Sequence, residues 1–358
     1  MRLTKLRVHH LRCLHEMELT PGSGANWLVG PNGTGKTSLL EAIYLLSHGH
    51  SFRSGGFHAL MQRGMDAFAI HAEVHSLGGV HALGMGRSDD GWRLRVDGDN
   101  VSTLSALLRR CAVICFEPGS HALIAGPADE RRRFLDWGVF HVEHDFLSHW
   151  RAYRRALRQR NALLRSGGAF QQLGVWEAEL DRLATPIERL RRGYIEALQS
   201  HLRQVAQKFL PELGFVHLHY QPGWDTQQPL SAVLAAQRER DFLQGHTRAG
   251  PHRADWKLVF EGAPMREYLS RGQTKLAVLA CILAQGRLFA EHAKEWPILC
   301  LDDLASELDE LHQRLVLEEV GDCGAQTWFT ATRIPDWAIS PLDAVFHVEH
   351  ELARFESG

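Results

Sequence analysis

The stretch Leu28-Val29-Gly30-Pro31-Asn32-Gly33-Thr34-Gly35-Lys36-Thr37-Ser38 constrains this chain more than any other. A glycine, four residues and then Gly-Lys-Thr is the spacing of a phosphate-binding loop. Gly33 and Gly35 allow positive φ, so that backbone N–H groups can curl around a triphosphate. Gly30, Pro31, Asn32, Thr34 and Ser38 complete the expected cradle. Lys36 suits the β- and γ-phosphates, and the Thr37 hydroxyl suits a Mg²⁺ ion. The flanks agree with the motif. Asn26-Trp27-Leu28-Val29 reads as a strand, and residues 38–46 read as a helix whose N-terminal amides and dipole would face the phosphates. The expected ligand is a nucleoside triphosphate, ATP with Mg²⁺.

An acidic strand end far along the chain supplies the second half of such a site. Ile298-Leu299-Cys300-Leu301 is an apolar run ending at Asp302-Asp303. Asp302 would hold the metal in its outer shell, and Asp303 would orient or deprotonate the attacking water. Lys36 and Asp302 lie near opposite ends of the sequence, so one domain must be assembled from both. Between them, from about residue 128, the texture turns helical. Leu147, Trp150, Leu157 and Leu164 fall on one side of a helix, with Arg151, Arg154, Arg155 and Arg158 on another. A break is expected at Ser166-Gly167-Gly168. Apolar residues from Trp176 to Phe209 then recur every three or four positions, with a kink or break expected at Pro186. The arginine face is either a solvated helix face or a DNA contact.

Leu269-Ser270-Arg271-Gly272-Gln273 precedes a long apolar helix. Ser270 can cap that helix, and its N-terminus favours an anion. Since the phosphate loop already fills the chain's own site, the simplest use for this surface is a nucleotide held by a second copy.

Composition narrows the class. The 358 residues suffice for about two domains, and 44% hydrophobic with 23% charged residues is ordinary for a soluble protein. A net charge of −2 gives no global basic field, so any nucleic-acid surface must be local. The six cysteines are scattered, with no C-x-x-C pair, and read as reduced thiols of a cytoplasmic protein. No apolar run of membrane-spanning length is expected. His-Val-Glu-His occurs at residues 141–144 and 347–350, but its spacing is not that of a His-Glu-x-x-His metal site.

The order of these parts, with Ser306-Glu307-Leu308-Asp309 after the acidic pair, resembles the ABC-type ATPases of DNA maintenance. Within this SMC-like group the chain is similar to the RecF family of bacterial DNA replication and repair proteins. Leu39-Leu40-Glu41-Ala42-Ile43-Tyr44, Ser51-Phe52-Arg53, Arg131-Arg132-Arg133-Phe134-Leu135-Asp136, Phe140-His141-Val142-Glu143, Gly250-Pro251-His252-Arg253 and Ser270-Arg271-Gly272-Gln273 carry the likeness. Two departures stand out. Ala254-Asp255 occurs where two aspartates are expected, and Thr332 replaces the switch histidine of the wider superfamily. The Arg131–Arg133 run is expected either to contact DNA or to dock the arm on the head.

The resemblance implies an α/β fold: an ABC-type phosphate-loop ATPase head with a mixed sheet, and an inserted helical-hairpin arm. The expected domains are 1–121 and 246–358 for the head and 122–245 for the arm. It further implies a weak, DNA-stimulated ATPase of recombinational repair and the SOS response, dimerising with ATP on duplex DNA and gap junctions. RecO and RecR would be partners in loading RecA. An ATPase subunit of a transport complex is the alternative.

Overall fold

The computed structural model describes residues 1–358 except 54, 167–169, 341, 342, 350, 351, 357 and 358. Two compact units emerge: one of Met1–His121 with Ser270–Gly358, and one of Ala122–Leu269. The first, the head, is thus built from both ends of the sequence. Its N-terminal part contains β1 (Arg2–Leu11), β2 (Leu14–Leu19), β3 (Ala25–Val29), β4 (Ala67–Ser76), β5 (Gly79–Ser88), β6 (Gly91–Val96), β7 (Asp99–Asn100) and β8 (Val113–Phe116). The arm unit contributes β9 (Val216–Gln221) and β10 (Asp255–Phe260). The head resumes with β11 (Ile298–Leu301), β12 (Thr327–Ala331), β13 (Ala344–Glu349) and β14 (Leu352–Glu356).

Two six-stranded sheets form the head. One, ordered β2-β1-β4-β5-β6-β7, is wholly antiparallel. The other, β14-β13-β3-β12-β11-β8, is parallel except for the β13–β14 pair. The antiparallel strands therefore make a sheet of their own rather than joining that of the phosphate loop, which is mixed at one pair only. Side-chain patterns explain the division. β1 buries Leu3, Leu6, Val8 and Leu11 and turns Arg7 outward, as a sheet with one wet face requires. β11 and β12 are buried at every position, as strands covered on both faces must be.

The helix Lys36–His48 belongs to the core that joins the two sheets. Leu39, Leu40, Ala42, Ile43, Leu45 and Leu46 are all fully buried, packed in one cluster with Leu6 and Val8 of β1, Ile70 of β4, Leu28 of β3 and Trp328 of β12. A helix apolar nearly all round can only be internal. Each large aliphatic side chain in it contributes about 1.5–3 kcal/mol by burial. This burial fixes the phosphate loop's C-terminal anchor. The helix Arg271–Ala293 is long and apolar enough to cross a membrane, contrary to the expectation that no such run exists, yet most of it is buried within the protein. It packs closely on β8: a Cβ at Gly286 would meet Ile114 Cδ1 at 2.8 Å.

The arm pairs the helices Phe146–Ser166 and Phe170–Phe209. The predicted glycine break, Gly167-Gly168, lies outside the described residues. Pro186 does not interrupt its helix. Leu180, Leu183, Ala184 and Ile187 are buried on the turns around it, and that burial outweighs one missing backbone hydrogen bond. Two short helices follow, Leu230–Ala236 and Arg238–Gln244. A fully buried guanidinium, Arg160, ties them to the long helices. It donates to Asp241 Oδ2 at 2.7 Å, Thr247 Oγ1 at 2.9 Å and Glu177 Oε1 at 3.0 Å.

The arm unit also extends to Leu269 instead of ending at 245. β10 pairs with β9, and arm helices hold Gly250-Pro251-His252-Arg253. Arg191, itself buried, donates to the Pro251 carbonyl at 2.7 Å and pairs with Asp136. A Cβ at Gly250, which has φ +127°, would fall 2.4 Å from Tyr153 Oη. That hydroxyl lies 2.8 Å from His252 Nδ1, and His252 Nε2 lies 3.0 Å from the Thr247 carbonyl. The Thr247 carbonyl can only accept, so Nε2 donates; in the neutral imidazole Nδ1 then accepts from the Tyr153 hydroxyl.

Burial lowers the His252 pKa from 6.5 to about 4. Between those values the unfolded chain binds more protons than the folded one, so stability is complete above pH 6.5 and lost as pH falls toward 4. The contribution is on the order of 3 kcal/mol. Urea unfolding at pH 7.5 and pH 5 should show this loss, and His252→Gln should flatten the pH slope while lowering stability at pH 7.5.

Candidate nucleotide-binding site

Parallel pairing sets β12 between β3 and β11 and brings their carboxyl ends together. Ligands of α/β sheets bind outside such ends. A cleft of about 510 Å³ opens there, lined by Asn32, Gly33, Gly35, Lys36, Thr37 and Ser38 on one side and by Asp302, Asp303, Thr330 and Thr332 on another. Arg12, Arg53 and Arg63 also line it.

The loop takes its shape from backbone restrictions. Gly35 has φ +109°, and a Cβ there would meet Leu14 Cδ2 at 2.6 Å. Gly33, at φ +85°, has open space around it, so its requirement is conformational alone. Thr34 Oγ1 closes the loop on the Pro31 carbonyl at 3.0 Å. Lys36 Nζ donates to the Gly30 and Pro31 carbonyls, each at 2.7 Å, leaving one of its three N–H donors for a phosphate oxygen. Desolvation lowers the Lys36 pKa, opposed by the charges of Asp303 and Asp302.

Across the cleft, Thr37 Oγ1 lies 3.0 and 3.1 Å from the two carboxylate oxygens of Asp302. Asp302 is 3% exposed, and burial raises its pKa against the hydroxyls of Thr330 and Thr37. A hydroxyl and a carboxylate are the hard oxygen donors that Mg²⁺ takes, with phosphate and water oxygens completing its octahedron. Among the described residues no group of three or more His, Cys, Asp or Glu side chains could hold a metal. The site accordingly suits a metal that arrives with phosphate. Asp303 sits in the left-handed region, φ +51° and ψ +42°, and its Oδ1 accepts from Ser306 Oγ at 2.8 Å.

The comparisons with known proteins converge. The family model for the RecF/RecN/SMC N-terminal domain matches residues 2–351. The chain is 46% identical over 358 residues to the DNA replication and repair protein RecF of Stenotrophomonas maltophilia (strain R551-3), covering 98% of each. The chain belongs to the RecF family. It is 37% identical over 353 residues to RecF of Shewanella amazonensis (strain ATCC BAA-1098 / SB2B), again covering 98% of each. A solved structure of the recombination mediator protein RecF-ATP in the RecFOR pathway superposes with a TM-score of 0.90 at 25% identity, covering 99% of this chain and 97% of that one. The Smc head domain with an extended coiled coil from Pyrococcus furiosus gives a TM-score of 0.60 at 14% identity, with 99% and 95% covered, and speaks for the fold alone.

Ser270-Arg271-Gly272-Gln273, the expected second phosphate-binding surface, lies elsewhere on the head. Ser270 Oγ accepts from the Gln273 N–H at 3.2 Å and Gln273 Oε1 from the Ser270 N–H at 3.0 Å, a reciprocal cap. Ser270, Arg271 and Gly272 are exposed, and none of the four residues lines the cleft of their own chain. Nor does Glu117, at the end of β8; its carboxylate accepts from the Gly119 N–H at 2.6 Å.

In the arm, Arg151, Arg154, Arg155 and Arg158 are exposed along one helix. The Arg131–Arg133 run makes its contacts within the arm unit. Arg131 pairs with Asp255 at 2.6 Å, Arg132 donates to the Ala254 carbonyl at 2.7 Å, and Arg133 pairs with Glu130. These bonds spend the run inside the arm. His141 lies on the helix Ala128–Val142 and His347 on β13, while His350 is outside the described residues.

Sequence reasoning missed Arg12, Arg63 and Thr330 and met Arg53 only within a motif. Arg12 has φ +57° and holds the fully buried Glu41 through two hydrogen bonds of 2.9 and 2.7 Å; Arg53 approaches the same carboxylate at 3.9 Å. A lone arginine after a strand carries no spacing signal. The buried Glu41 on an apolar helix was the available cue, since a buried carboxylate needs a cation.

Lys36→Met should leave the fold intact, because the loop and its helix are held by packing. ATP affinity, measured by fluorescent-nucleotide titration, should fall about tenfold to a hundredfold with the loss of a charged donor.

Proposed function

We propose that this chain is an ATP-dependent switch of DNA replication and recombinational repair, a weak DNA-stimulated ATPase acting as a cytoplasmic dimer on duplex DNA and gap junctions. The observation that carries this reading is the Thr37–Asp302 contact. It joins the phosphate loop to the acidic strand end across 265 positions of sequence, with Lys36 and Asp303 lining the same cleft. The named relatives are replication and repair proteins, which disfavours a transport subunit. RecO and RecR are the partners proposed from the RecFOR context of the RecF-ATP structure, with RecA loading as the outcome.

In this reading the loop amides and Lys36 bind the triphosphate. Thr37 and Asp302 would hold Mg²⁺, which supplies charge neutralisation at the phosphates when bound. Asp303 orients and deprotonates the attacking water. Ser270 and Gly272 are exposed and do not line their own chain's cleft, so they would close over the γ-phosphate of a second copy. With Arg271 and Gln273 they complete a composite site only when two heads meet.

Asp303→Asn keeps size and polarity but removes the base. ATP should still bind, turnover should fall by two orders of magnitude or about that, and the ATP-dependent dimer should accumulate in size-exclusion chromatography with light scattering. Wild-type turnover would assign the base elsewhere. Ser270→Arg should bind ATP as a monomer yet neither dimerise nor hydrolyse it. Mixed with excess Lys36→Met protein it should regain partial activity through one intact composite site.

For DNA, neutralising Arg151, Arg154, Arg155 and Arg158 together should weaken duplex binding and flatten its salt dependence by about 0.9 in log–log slope per lost contact. An unchanged slope would leave that helix face solvated and place the DNA elsewhere.

A further inference from the structure

Thr330 lies at the carboxyl end of β12, the strand between those that end at the phosphate loop and at the acidic pair. All five positions of this strand are buried, and Thr330 is 3% exposed. A hydroxyl so placed must find partners inside the protein. It has two. Thr330 Oγ1 is 2.6 Å from Asp302 Oδ1, and the Asp303 N–H points to it at 2.8 Å. Chemistry fixes the direction of both bonds. An amide N–H only donates, so the Thr330 oxygen accepts from Asp303. An ionised carboxylate only accepts, so the single hydroxyl hydrogen goes to Asp302.

One side chain thereby aims two different groups. The bond to Asp302 adds to that from Thr37 on the same oxygen, fixing which way the carboxylate faces in the cleft. The bond from Asp303 holds the amide of a residue in the left-handed region, a conformation uncommon outside glycine that Asp tolerates better than most residues. That backbone turn is what presents the Asp303 carboxylate to the cleft and to Ser306. No other side chain touches both aspartates by hydrogen bonding among the described residues.

We propose that Thr330 is the positioning residue of the hydrolytic site, setting the metal-side carboxylate of Asp302 and the base Asp303 together through one hydroxyl. This rests on the roles given to the two aspartates above. It differs from a merely satisfied core threonine in what its loss disturbs. Removing the hydroxyl frees both groups at once and leaves the Gly33 and Lys36 side of the cleft untouched.

The test uses the full-length chain. Thr330→Val keeps the shape and loses the hydroxyl; Thr330→Ser keeps the hydroxyl and loses the methyl. Three readouts are taken: kcat and KM for ATP in the presence of DNA, binding of a fluorescent non-hydrolysable ATP analogue in EDTA, and the same binding titrated with Mg²⁺. Thr330→Val should bind the analogue in EDTA like the wild type, require about tenfold more Mg²⁺ to tighten it, and lose about tenfold to a hundredfold in kcat with KM little changed. Thr330→Ser should restore kcat and Mg²⁺ dependence to within about threefold. Should Thr330→Val not fold, Thr330→Ala carries the same expectations with a smaller side chain. Wild-type kcat and Mg²⁺ dependence in a folded variant lacking the hydroxyl would overturn the proposal. So would a Thr330→Ser protein as impaired as Thr330→Val, since that outcome assigns the methyl, and hence packing, the whole effect. Asp302→Asn and Asp303→Asn serve as controls: if either turns over normally, the roles given to the aspartates fail. If both are inactive and Thr330→Val is not, only this inference fails.

Discussion

Every catalytic expectation for this molecule hangs on the parallel pairing of β12 between β3 and β11. β3 delivers the phosphate loop, β11 delivers Asp302 and Asp303, and neither strand touches the other. β12 fixes their relative height through Leu28↔Thr330 on one side and Leu301↔Phe329 on the other. A slip of one residue would turn buried side chains to the opposite face. Both faces of β11 and β12 are buried, so such a slip would mismatch close-packed side chains and strand Asn26 and Thr330 from their partners; the core thereby specifies the site. The Thr37–Asp302 contact is the visible result.

The site holds its charges at some expense. Asp302 is a buried carboxylate whose pKa burial raises, and two hydroxyl donors offset that only in part. Lys36 is likewise desolvated, with its ammonium turned to loop carbonyls. A triphosphate with its cation meets both needs, since it brings anionic oxygens to the lysine and positive charge to the carboxylate. Binding energy from the nucleotide therefore relaxes groups that folding left under-solvated.

The sequence revealed those parts of the site whose chemistry imposes a spacing. Gly33, Gly35, Lys36 and Thr37 follow from a loop that must wrap a phosphate, and Asp302-Asp303 from a buried strand that ends in charge. Ser270 and Gln273 form the reciprocal cap that their three-residue spacing allows. Thr330 carries no such signal, because a threonine in a buried β-run is common and its partners are 28 and 27 positions away. The division into two sheets escaped periodicity as well, since alternation in β1 and β4 records a wet face and not which neighbour a strand takes. Pro186 misled for a related reason. Local propensity counted a lost hydrogen bond, whereas the structure counts four buried apolar side chains around it. The run Arg131–Arg133 looked like surface charge, but Asp255 lies 124 positions on and captures its first member.

The exposed signature and the buried carboxylates are chained together within the head. Lys275, one turn into the signature helix, pairs with Glu307 Oε2 at 2.7 Å and donates to the Glu307 carbonyl at 3.1 Å. The preceding residue, Ser306, donates to Asp303 Oδ1. Asp303 is held through its amide by Thr330, which also holds Asp302. Each link is a short polar contact between neighbouring elements, and the turn that carries them contains a residue in the left-handed region. If a second copy's nucleotide binds at Ser270, as proposed above, these contacts would link it to the segment Asp303–Glu307 beside this chain's own cleft. On that proposal, the surface that reads another copy's ATP and the carboxylates that act on this one's would be joined by side-chain contacts within one head.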